Sequence, residues 1–398
     1  MPNAGDTIPM QSSAGRVILA PDKFKGSLSA AEAATRLTVG LRRAVPALAV
    51  TAVPVADGGE GTVDAVVAAA GFRRLRVIVT GPTGEPVTAS LAVRGRTAVI
   101  ETAQACGLAQ LNGGVRAPLR ASSYGAGELI GAALDAGCTR IVIGLGGSAC
   151  TDGGAGLVQA LGARLTDSAG SGLTQGGAAL SGLRALDISA LQQRLAGAEI
   201  VVACDVDNPL LGPNGAAAVY APQKGASPDD VRVLEGALAN WSALVAETVG
   251  SAEFATRPGA GAAGGIGFAA LALLRAQLRP GIELMLDLAG FAGKTHGSSL
   301  VITGEGSLDG QSLRGKAPAG VAKAANELGV PVVAVSGICE LDADQLRSAG
   351  FVAAYQLTDI EPDVEKCIAH AGPLLELVGE RIGREHLVTA RSYVDVSS

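Results

Sequence analysis

Strand, helix and strand follow one another in the stretch RVILAPDKFKGSLSAAEAATRLTVGLRRAVPALAVTAVPVA, residues 16–56. Its apolar run at 16–21 predicts a first strand, and the run at 48–56 predicts a second. Between them, Ser29 is followed three residues later by Glu32, which is the capping-box pattern that begins a helix. Two strands joined by a helix are typical of a parallel sheet, because parallel neighbours need a long crossover connection.

The C-terminal part of the chain repeats this rhythm. Apolar runs predict strands at 299–303, 331–336 and 351–357, and helical patterns separate them. The middle of the chain has a different pattern. Apolar and polar residues alternate within 77–102 and are interrupted by turns, as in antiparallel hairpins. The parallel-sheet pattern therefore belongs to the two ends of the chain.

We predict an α/β protein of two domains, in keeping with a length of 398 residues. The first is a Rossmann-like parallel-sheet domain built from both termini, residues 1–82 plus 283–398. The second is an inserted α/β domain, residues 83–282, that contains mixed and antiparallel strands. Residues 1–14 are expected to form a flexible extension.

The composition restricts the class of protein. Charged residues at 17% and aromatic residues at 3% leave aliphatic side chains to build the interior, as in a parallel sheet buried on both faces. The longest apolar stretch, 259–277, begins rich in glycine and contains Arg275, so it predicts a loop and a buried helix, not a membrane span. A net charge of −6 without a basic cluster argues against a nucleic-acid partner. The N-terminus has no signal-peptide pattern, so we expect a cytoplasmic protein.

Glycines and acids occur together in three short segments, of which the first is PVADGGEGTVDA, residues 54–65. Asp57 follows the second predicted strand there. A helix N-cap is the structural alternative for Asp57, but a cap does not need the Gly-Gly-x-Gly that follows it. Glycine is useful mainly where a chain takes unusual dihedral angles or approaches a ligand closely. We therefore interpret Asp57 as a site residue.

The second segment is GLGGSACTDGGAG, residues 144–156, between a predicted strand and a predicted helix. The backbone amides of Gly146, Gly147 and Ser148 are placed to surround a phosphate group at the N-terminus of that helix. Ala149 occupies the last glycine position of a GxGxxG pattern, so the segment does not predict dinucleotide binding.

The third segment is TGEGSLDGQSLRGK, residues 303–316, and its last seven residues have P-loop spacing. Ala317 stands where a P-loop has the Ser or Thr that binds magnesium, and the strand ends too early, so we reject a P-loop. Lys316 remains a candidate phosphate contact. Glu305 and Asp309 remain candidate metal ligands, because carboxylate oxygens suit magnesium.

A fourth segment, ACDVDNPLLGPNGAAAVYAPQKGA at 203–226, begins at the end of a predicted strand. Asp205 and Asp207 point the same way from an extended chain, and with Asn208 they suit metal binding or general-base chemistry. A β-turn at 207–209 is the structural alternative, and both interpretations stay open.

A fifth segment, APDKFKGSLSA at 20–30, places Lys23 and Lys25 directly after the first predicted strand. Ligands of open α/β sheets bind outside the carboxyl ends of the strands. Two lysines in that position suit a phosphate or a carboxylate, and a solvated turn with ordinary surface lysines is the structural alternative.

Together and in this order, these segments and PGAGAAGGIGFA at 258–269 make the chain resemble the bacterial glycerate kinase family that lacks a P-loop. The six segments span residues 20 to 320, so the resemblance covers most of the chain. It implies a Rossmann-like domain with an inserted α/β domain. It also implies that the chain phosphorylates D-glycerate with ATP and Mg²⁺.

The resemblance and the chemistry of phosphoryl transfer together imply a role for each candidate residue. The catalytic candidates are Asp57, Lys23 and Asp205, with Asp57 as the proton acceptor and Asp205 as its alternative. The candidates for binding the substrate are Lys25, Ser27, Asp207 and Asn208. The candidates for binding ATP phosphates are Gly146, Gly147, Ser148 and Lys316. The candidate metal ligands are Glu305 and Asp309.

The resemblance alone favours the 2-hydroxyl of glycerate over the 3-hydroxyl, which would give 2-phosphoglycerate. A non-catalytic sensor of a sugar acid or a nucleotide is the alternative from another class, and ATP consumption with D-glycerate distinguishes the two. We expect a small-molecule substrate, no nucleic-acid partner and no membrane partner, and we consider a homodimer as the assembly.

Overall fold

The structure is a computed structural model that describes residues 15–310, 312–313 and 315–388, so the extension expected at 1–14 lies outside the described residues. The strands within these ranges are β1 (Val17–Pro21), β2 (Val50–Ala52), β3 (Arg73–Thr80), β4 (Pro86–Arg94), β5 (Thr97–Glu101), β6 (Arg140–Gly144), β7 (Arg164–Thr166), β8 (Ala185–Asp187), β9 (Glu199–Ala203), β10 (Gln277–Arg279), β11 (Leu300–Leu308), β12 (Val332–Cys339) and β13 (Phe351–Gln356). The helices are α1 (Ala30–Ala44), α2 (Thr62–Ala70), α3 (Ala103–Cys106), α4 (Tyr124–Asp135), α5 (Ala155–Ala160), α6 (Ser189–Arg194), α7 (Ala216–Tyr220), α8 (Pro228–Val249), α9 (Ala262–Ala272), α10 (Gly281–Ala289), α11 (Phe291–Thr295), α12 (Ala317–Glu327), α13 (Ala343–Ser348), α14 (Val364–Ala369) and α15 (Ala371–Ile382).

The chain divides into two compact units. The first takes in the described residues of Met1–Ala52, Ala292–Gly310 and Val321–Ser398. Its sheet is parallel throughout, with strand order β13-β12-β11-β1-β2. The second takes in Val53–Phe291 and the described residues of Gln311–Gly320. A parallel-sheet unit made from both ends of the chain and a second α/β unit between them confirm the predicted fold class.

Local sequence explains how the first unit begins. The Ser29 hydroxyl accepts a hydrogen bond from the Glu32 backbone N–H, and the Glu32 carboxylate accepts one from the Ser29 N–H, so the predicted capping box forms. Helix α1 buries Ala33, Leu37 and Leu41 in the core of this unit. The resulting β1-α1-β2 arrangement is parallel, as the order of elements predicts.

The second unit contains a six-stranded mixed sheet with the order β10-β9-β6-β5-β4-β3. Strands β3, β4 and β5 are antiparallel neighbours, which confirms the predicted hairpins, and β5, β6, β9 and β10 are parallel. One core of the unit packs residues of α2 and α10 against Ala92, Val99 and Val142 of the sheet. A larger core includes Leu129, Ile141 and the single tryptophan, Trp241.

The compact units begin and end at other residues than the predicted domain bounds near 82 and 283. Residues 53–82 fall in the second unit, because β3 pairs with β4 and the side chains of α2 pack on the same mixed sheet. Hydrophobic periodicity finds the elements but does not reveal which sheet they join.

Helix α8 begins after the Ser227 cap. The prediction of a loop and a buried helix at 259–277 is confirmed. The glycine-rich stretch at 259–277 turns through left-handed backbone at Ala263, Gly264 and Gly265 and then continues as the buried part of α9. Over the residues that the structure describes, no helix is long and apolar enough to cross a membrane.

We expect Gly236→Ala to stabilise the protein by about 0.5–1 kcal/mol, because alanine has the higher helix propensity. Gly236 lies exposed in the middle of α8, and a Cβ atom built there has no atom within 4 Å. Urea unfolding measures the change. Gly127→Ala is the matched control in α4, where the new Cβ would lie 2.2 Å from the Leu157 carbonyl oxygen, and it should destabilise. Equal effects of the two substitutions would contradict this account.

Candidate active site

A cavity of about 390 Å³ lies in the second unit where β6 and β9 end. The segments that follow these strands supply two walls, residues 145–148 and 204–206, and residues 57–59 supply a third. Tyr220, Lys224 and Ala262 are among the remaining lining residues. Ligands of open α/β sheets bind at the carboxyl ends of the strands, so this cavity is the expected place for a small-molecule site.

Close packing explains the glycines around the cavity. A Cβ atom on Gly144 would lie 2.0 Å from the Gly58 carbonyl oxygen, and one on Gly146 would lie 2.8 Å from the Cα of Gly59. Gly58 and Gly147 also have positive φ, at 89° and 73°. The glycines therefore allow the segment that carries Asp57 to lie directly against residues 144–147.

The predicted phosphate-binding residues Gly146, Gly147 and Ser148 line the cavity together. The segment is fixed by hydrogen bonds from the Leu108 N–H to the Gly147 carbonyl, at 3.0 Å, and from the Ala149 N–H to the Cys106 carbonyl, at 2.7 Å. One expectation is wrong: these amides do not lie at a helix N-terminus, because α5 begins only at Ala155. The chain first turns through left-handed Gly153 and Gly154, which separate the segment from the helix.

Asp57 and Asp205 are the two carboxylates that line the cavity. The Gly59 N–H donates to Oδ1 of Asp57 at 3.0 Å, and the Gly281 N–H donates to Oδ1 of Asp205 at 2.9 Å. Asp205 keeps access to solvent, yet burial of its carboxyl group raises its pKa to about 6. The negative charge of Asp57 also raises this pKa, and the hydrogen bond from Gly281 opposes both effects. The two acids therefore interact electrostatically within one site.

Asp207 and Asn208, the other two site candidates of the 203–226 segment, are not among the residues that line the cavity. Asn208 accepts a hydrogen bond from the Tyr220 hydroxyl at 2.6 Å and donates one to the Asn214 carbonyl at 2.9 Å. It therefore holds Tyr220, which does line the cavity. The alternative β-turn at 207–209 is not formed, since residues 204–209 have neither turn nor bend. Asp207 contributes charge, because it raises the pKa values of Cys204 and Tyr220 further after burial has raised them.

Lys224 is a residue of this site that the sequence analysis did not single out. The residue is 3% exposed, and its Nζ donates hydrogen bonds to Oγ of Ser148 at 3.1 Å and to the Cys150 carbonyl at 2.6 Å. Burial lowers the pKa of Lys224, and the nearby Cys150, Cys106 and Asp152 oppose that shift. Lys224 is the single charged residue of AVYAPQKGA, residues 218–226, and the sequence gives no other local signal for it.

The residues behind the cavity wall are also fixed by hydrogen bonds. Asp152 is fully buried and accepts hydrogen bonds from the backbone N–H groups of Ser123, Gly154 and Gly156. The indole Nε1 of Trp241 donates to the Gly153 carbonyl at 3.0 Å, and Trp241 is 0% exposed. These contacts join the end of the glycine-rich segment to the core of the second unit.

Five predicted site residues belong to the first unit. Lys23, Lys25 and Ser27 follow β1, and the Ser27 hydroxyl donates to the Phe24 carbonyl at 3.1 Å. Glu305 lies within β11, which extends to Leu308 and so is longer than the predicted strand, and Asp309 follows it. A Cβ atom on Gly306 would lie 3.2 Å from the Lys25 backbone nitrogen, so the structure brings the lysine segment and β11 together within this unit.

The predicted metal ligands stay a prediction. Among the described residues, no group of three or more His, Cys, Asp or Glu side chains could hold a metal ion. Lys316, the predicted phosphate contact, precedes α12 in the second unit.

The cavity of this α/β fold therefore brings together two interacting carboxylates, a glycine-rich segment and a buried lysine. Comparison with known proteins gives the family. A model of the glycerate kinase family matches residues 17–387. The chain is 46% identical over 363 residues to the glycerate kinase of Bacillus subtilis (strain 168), which covers 91% of this chain and 95% of that protein.

Further relatives agree with this match. The glycerate 2-kinase of Escherichia coli (strain K12) is 44% identical over 86% of this chain and 90% of its own length. A crystal structure from Salmonella typhimurium LT2, whose protein has the provisional name glycerate kinase 2, has a TM-score of 0.83 and 41% identity. The match covers 96% of this chain and 100% of that one. The chain belongs to the glycerate kinase family, and it is an enzyme of the kinase class.

Proposed function

We propose that this enzyme transfers the γ-phosphoryl group of ATP to the 2-hydroxyl of D-glycerate. The observation that carries the proposal is the cavity in which Asp57 and Asp205 lie with the Gly146–Ser148 segment. Phosphoryl transfer requires mainly positioning and charge neutralisation, and a proton acceptor for the attacking hydroxyl completes the requirement. Membership in the glycerate kinase family supports glycerate as the substrate, and the name of the Escherichia coli relative supports the 2-hydroxyl.

Of the two acids, Asp205 is our proposed general base. A pKa of about 6 leaves its carboxylate ionised at neutral pH and still close enough to that pH to accept a proton. In the proposed step the substrate hydroxyl oxygen forms a bond to the γ-phosphorus, and the bond from that phosphorus to the ADP oxygen breaks. The hydroxyl proton moves to the Asp205 carboxylate. Asp57 supplies the negative charge that helps to keep the pKa of Asp205 raised.

The backbone amides of Gly146, Gly147 and Ser148 are our proposed phosphate donors, and Lys316 remains a proposed phosphate contact. Glu305 and Asp309 remain the proposed ligands of Mg²⁺, since their carboxylates are the donors that this ion prefers. When bound, Mg²⁺ neutralises charge on the nucleotide phosphates. Lys23 remains a proposed catalytic residue, and Lys25, Ser27, Asp207 and Asn208 remain proposed contacts of the substrate.

A coupled assay tests this function. The purified enzyme with ATP, Mg²⁺ and D-glycerate should release ADP and form 2-phosphoglycerate. Addition of enolase alone should then produce phosphoenolpyruvate, because that enzyme accepts 2-phosphoglycerate directly. A product that enolase converts only after a phosphoglycerate mutase is added would move the reaction to the 3-hydroxyl. Binding of D-glycerate without ADP release would favour the sensor.

A further inference from the structure

Lys224 places a positive charge where proteins rarely place one. Lysine is almost never fully buried unless its ammonium group has a partner of opposite charge. At 3% exposure Lys224 is buried, and within the described residues no carboxylate lies close enough to form a salt bridge with its Nζ. Its hydrogen-bond acceptors are the neutral oxygens of Ser148 and Cys150.

The position of this charge is informative, since the buried carboxylate of Asp152 offsets it only from beyond salt-bridge distance. Lys224 lines the cavity, and Ser148, which accepts its hydrogen bond, belongs to the Gly146–Ser148 segment. An ammonium group has three N–H donors, and these two contacts use two of them. A neutral side chain could hold the segment in place through hydrogen bonds alone, so bracing does not explain why the buried group is charged. An anion in the cavity does.

We propose that Lys224 is the cation of the phosphate site, where it fixes the Ser148 hydroxyl and balances the charge of the nucleotide phosphates in the cavity. This inference rests on the proposed function, since it takes the phosphorylated ligand to be ATP. The glycine-rich segment supplies neutral amide donors to the phosphates, and Lys224 supplies a positive charge from the cavity wall beside Ser148.

Lys224→Met tests the role of the charge, because methionine keeps an unbranched side chain of similar length and removes the ammonium group. We expect kcat/KM for ATP to fall on the order of a hundredfold, as for the loss of one preorganised electrostatic contact. We expect the KM for D-glycerate to change by less than about threefold, because the substitution should weaken binding of the nucleotide and not of both substrates. Isothermal titration calorimetry should show that the affinity for MgADP falls by a similar factor. The melting temperature should not fall, because a buried charge is replaced by an apolar group.

Two further variants separate charge from structure. Lys224→Arg keeps the charge and should recover at least about tenfold of the lost kcat/KM if it folds. Lys366→Met is the matched control, since Lys366 is an exposed lysine of α14 that pairs with Asp363, the cap of that helix, and it should leave all constants unchanged. If the arginine variant does not fold, the MgADP titration of Lys224→Met decides alone.

Three results would overturn the inference. The first is an unchanged MgADP affinity and kcat/KM in Lys224→Met. The second is an equal loss of affinity for D-glycerate and ATP together with a lower melting temperature, which would make Lys224 a structural brace. The third is a folded arginine variant that is as defective as the methionine variant. A wild-type enzyme without turnover would instead refute the proposed function, and MgADP titration of Lys224→Met would still test the phosphate site.

Discussion

Asp205→Asn is expected to lower kcat by about a hundredfold to ten-thousandfold, the range for removal of a general base. Asparagine keeps the size of the side chain but cannot accept the hydroxyl proton. In the wild-type enzyme kcat should rise with pH through about 6, where the Asp205 carboxyl group ionises, and level off above it. The variant should lose this dependence. Steady-state kinetics between pH 5 and 8 with ATP and D-glycerate measures both effects.

Asp57→Asn is the matched comparison, because it removes the neighbouring charge and leaves the proposed base in place. Since the charge of Asp57 raises the pKa of Asp205, its loss should move the acid limb of the profile to lower pH. We expect the loss in kcat at neutral pH to be about tenfold or less. If Asp57→Asn abolishes turnover while Asp205→Asn keeps its pH profile, the base is Asp57. If both variants turn over normally, neither acid is catalytic.

Gly281→Ala should have a similarly large effect although it adds only one methyl group. Gly281 begins α10, and a Cβ atom there would lie 1.8 Å from the Asp57 carbonyl oxygen and 2.9 Å from Oδ2 of Asp205. Both acids would have to move. A shift of about 1 Å in reacting groups can cost on the order of a hundredfold in rate, and we expect that loss in kcat. Overpacking should also destabilise the protein by about 1–3 kcal/mol.

Kinetics and urea unfolding of Gly281→Ala separate these two effects. Gly236→Ala provides the control, since the same substitution in open space should leave kcat unchanged. An active Gly281→Ala enzyme with wild-type constants would mean that the positions of Asp57 and Asp205 do not depend on this contact. Loss of stability alone, with normal kcat, would assign Gly281 a packing role only.

Local patterns were sufficient to predict much of the fold. Ser29 and Glu32 form their capping box because a helix start depends on a few neighbouring residues. Strand pairing across the chain could not be derived in this way, since β1 pairs with β11, whose residues are nearly 300 positions away. The end of β11 was missed because Gly304, Glu305 and Gly306 have the composition of a loop. The Val335 carbonyl lies 1.8 Å from a Cβ position on Gly304, so this close neighbour strand requires the glycine that made the segment look irregular.

The residues of the candidate site also divide into those that local patterns predict and those that they do not. Asp57, Asp205 and the Gly146–Ser148 segment were found because each follows a predicted strand, where ligands of α/β sheets bind. Lys224 and Gly281 were missed, because their importance depends on burial and on contacts with residues far away in the sequence. A lysine has no local pattern that says whether its charge is solvated or enclosed.

The hydrogen bond between Trp241 and Gly153 gives this enzyme a built-in optical probe. Since the chain has one tryptophan, its indole emission comes from a single place directly behind the glycine-rich segment. A change in that emission on adding MgADP would therefore report movement of this segment, without a label or an engineered fluorophore. Stopped-flow fluorescence could then time the arrival and departure of nucleotide separately from chemistry, which steady-state rates combine.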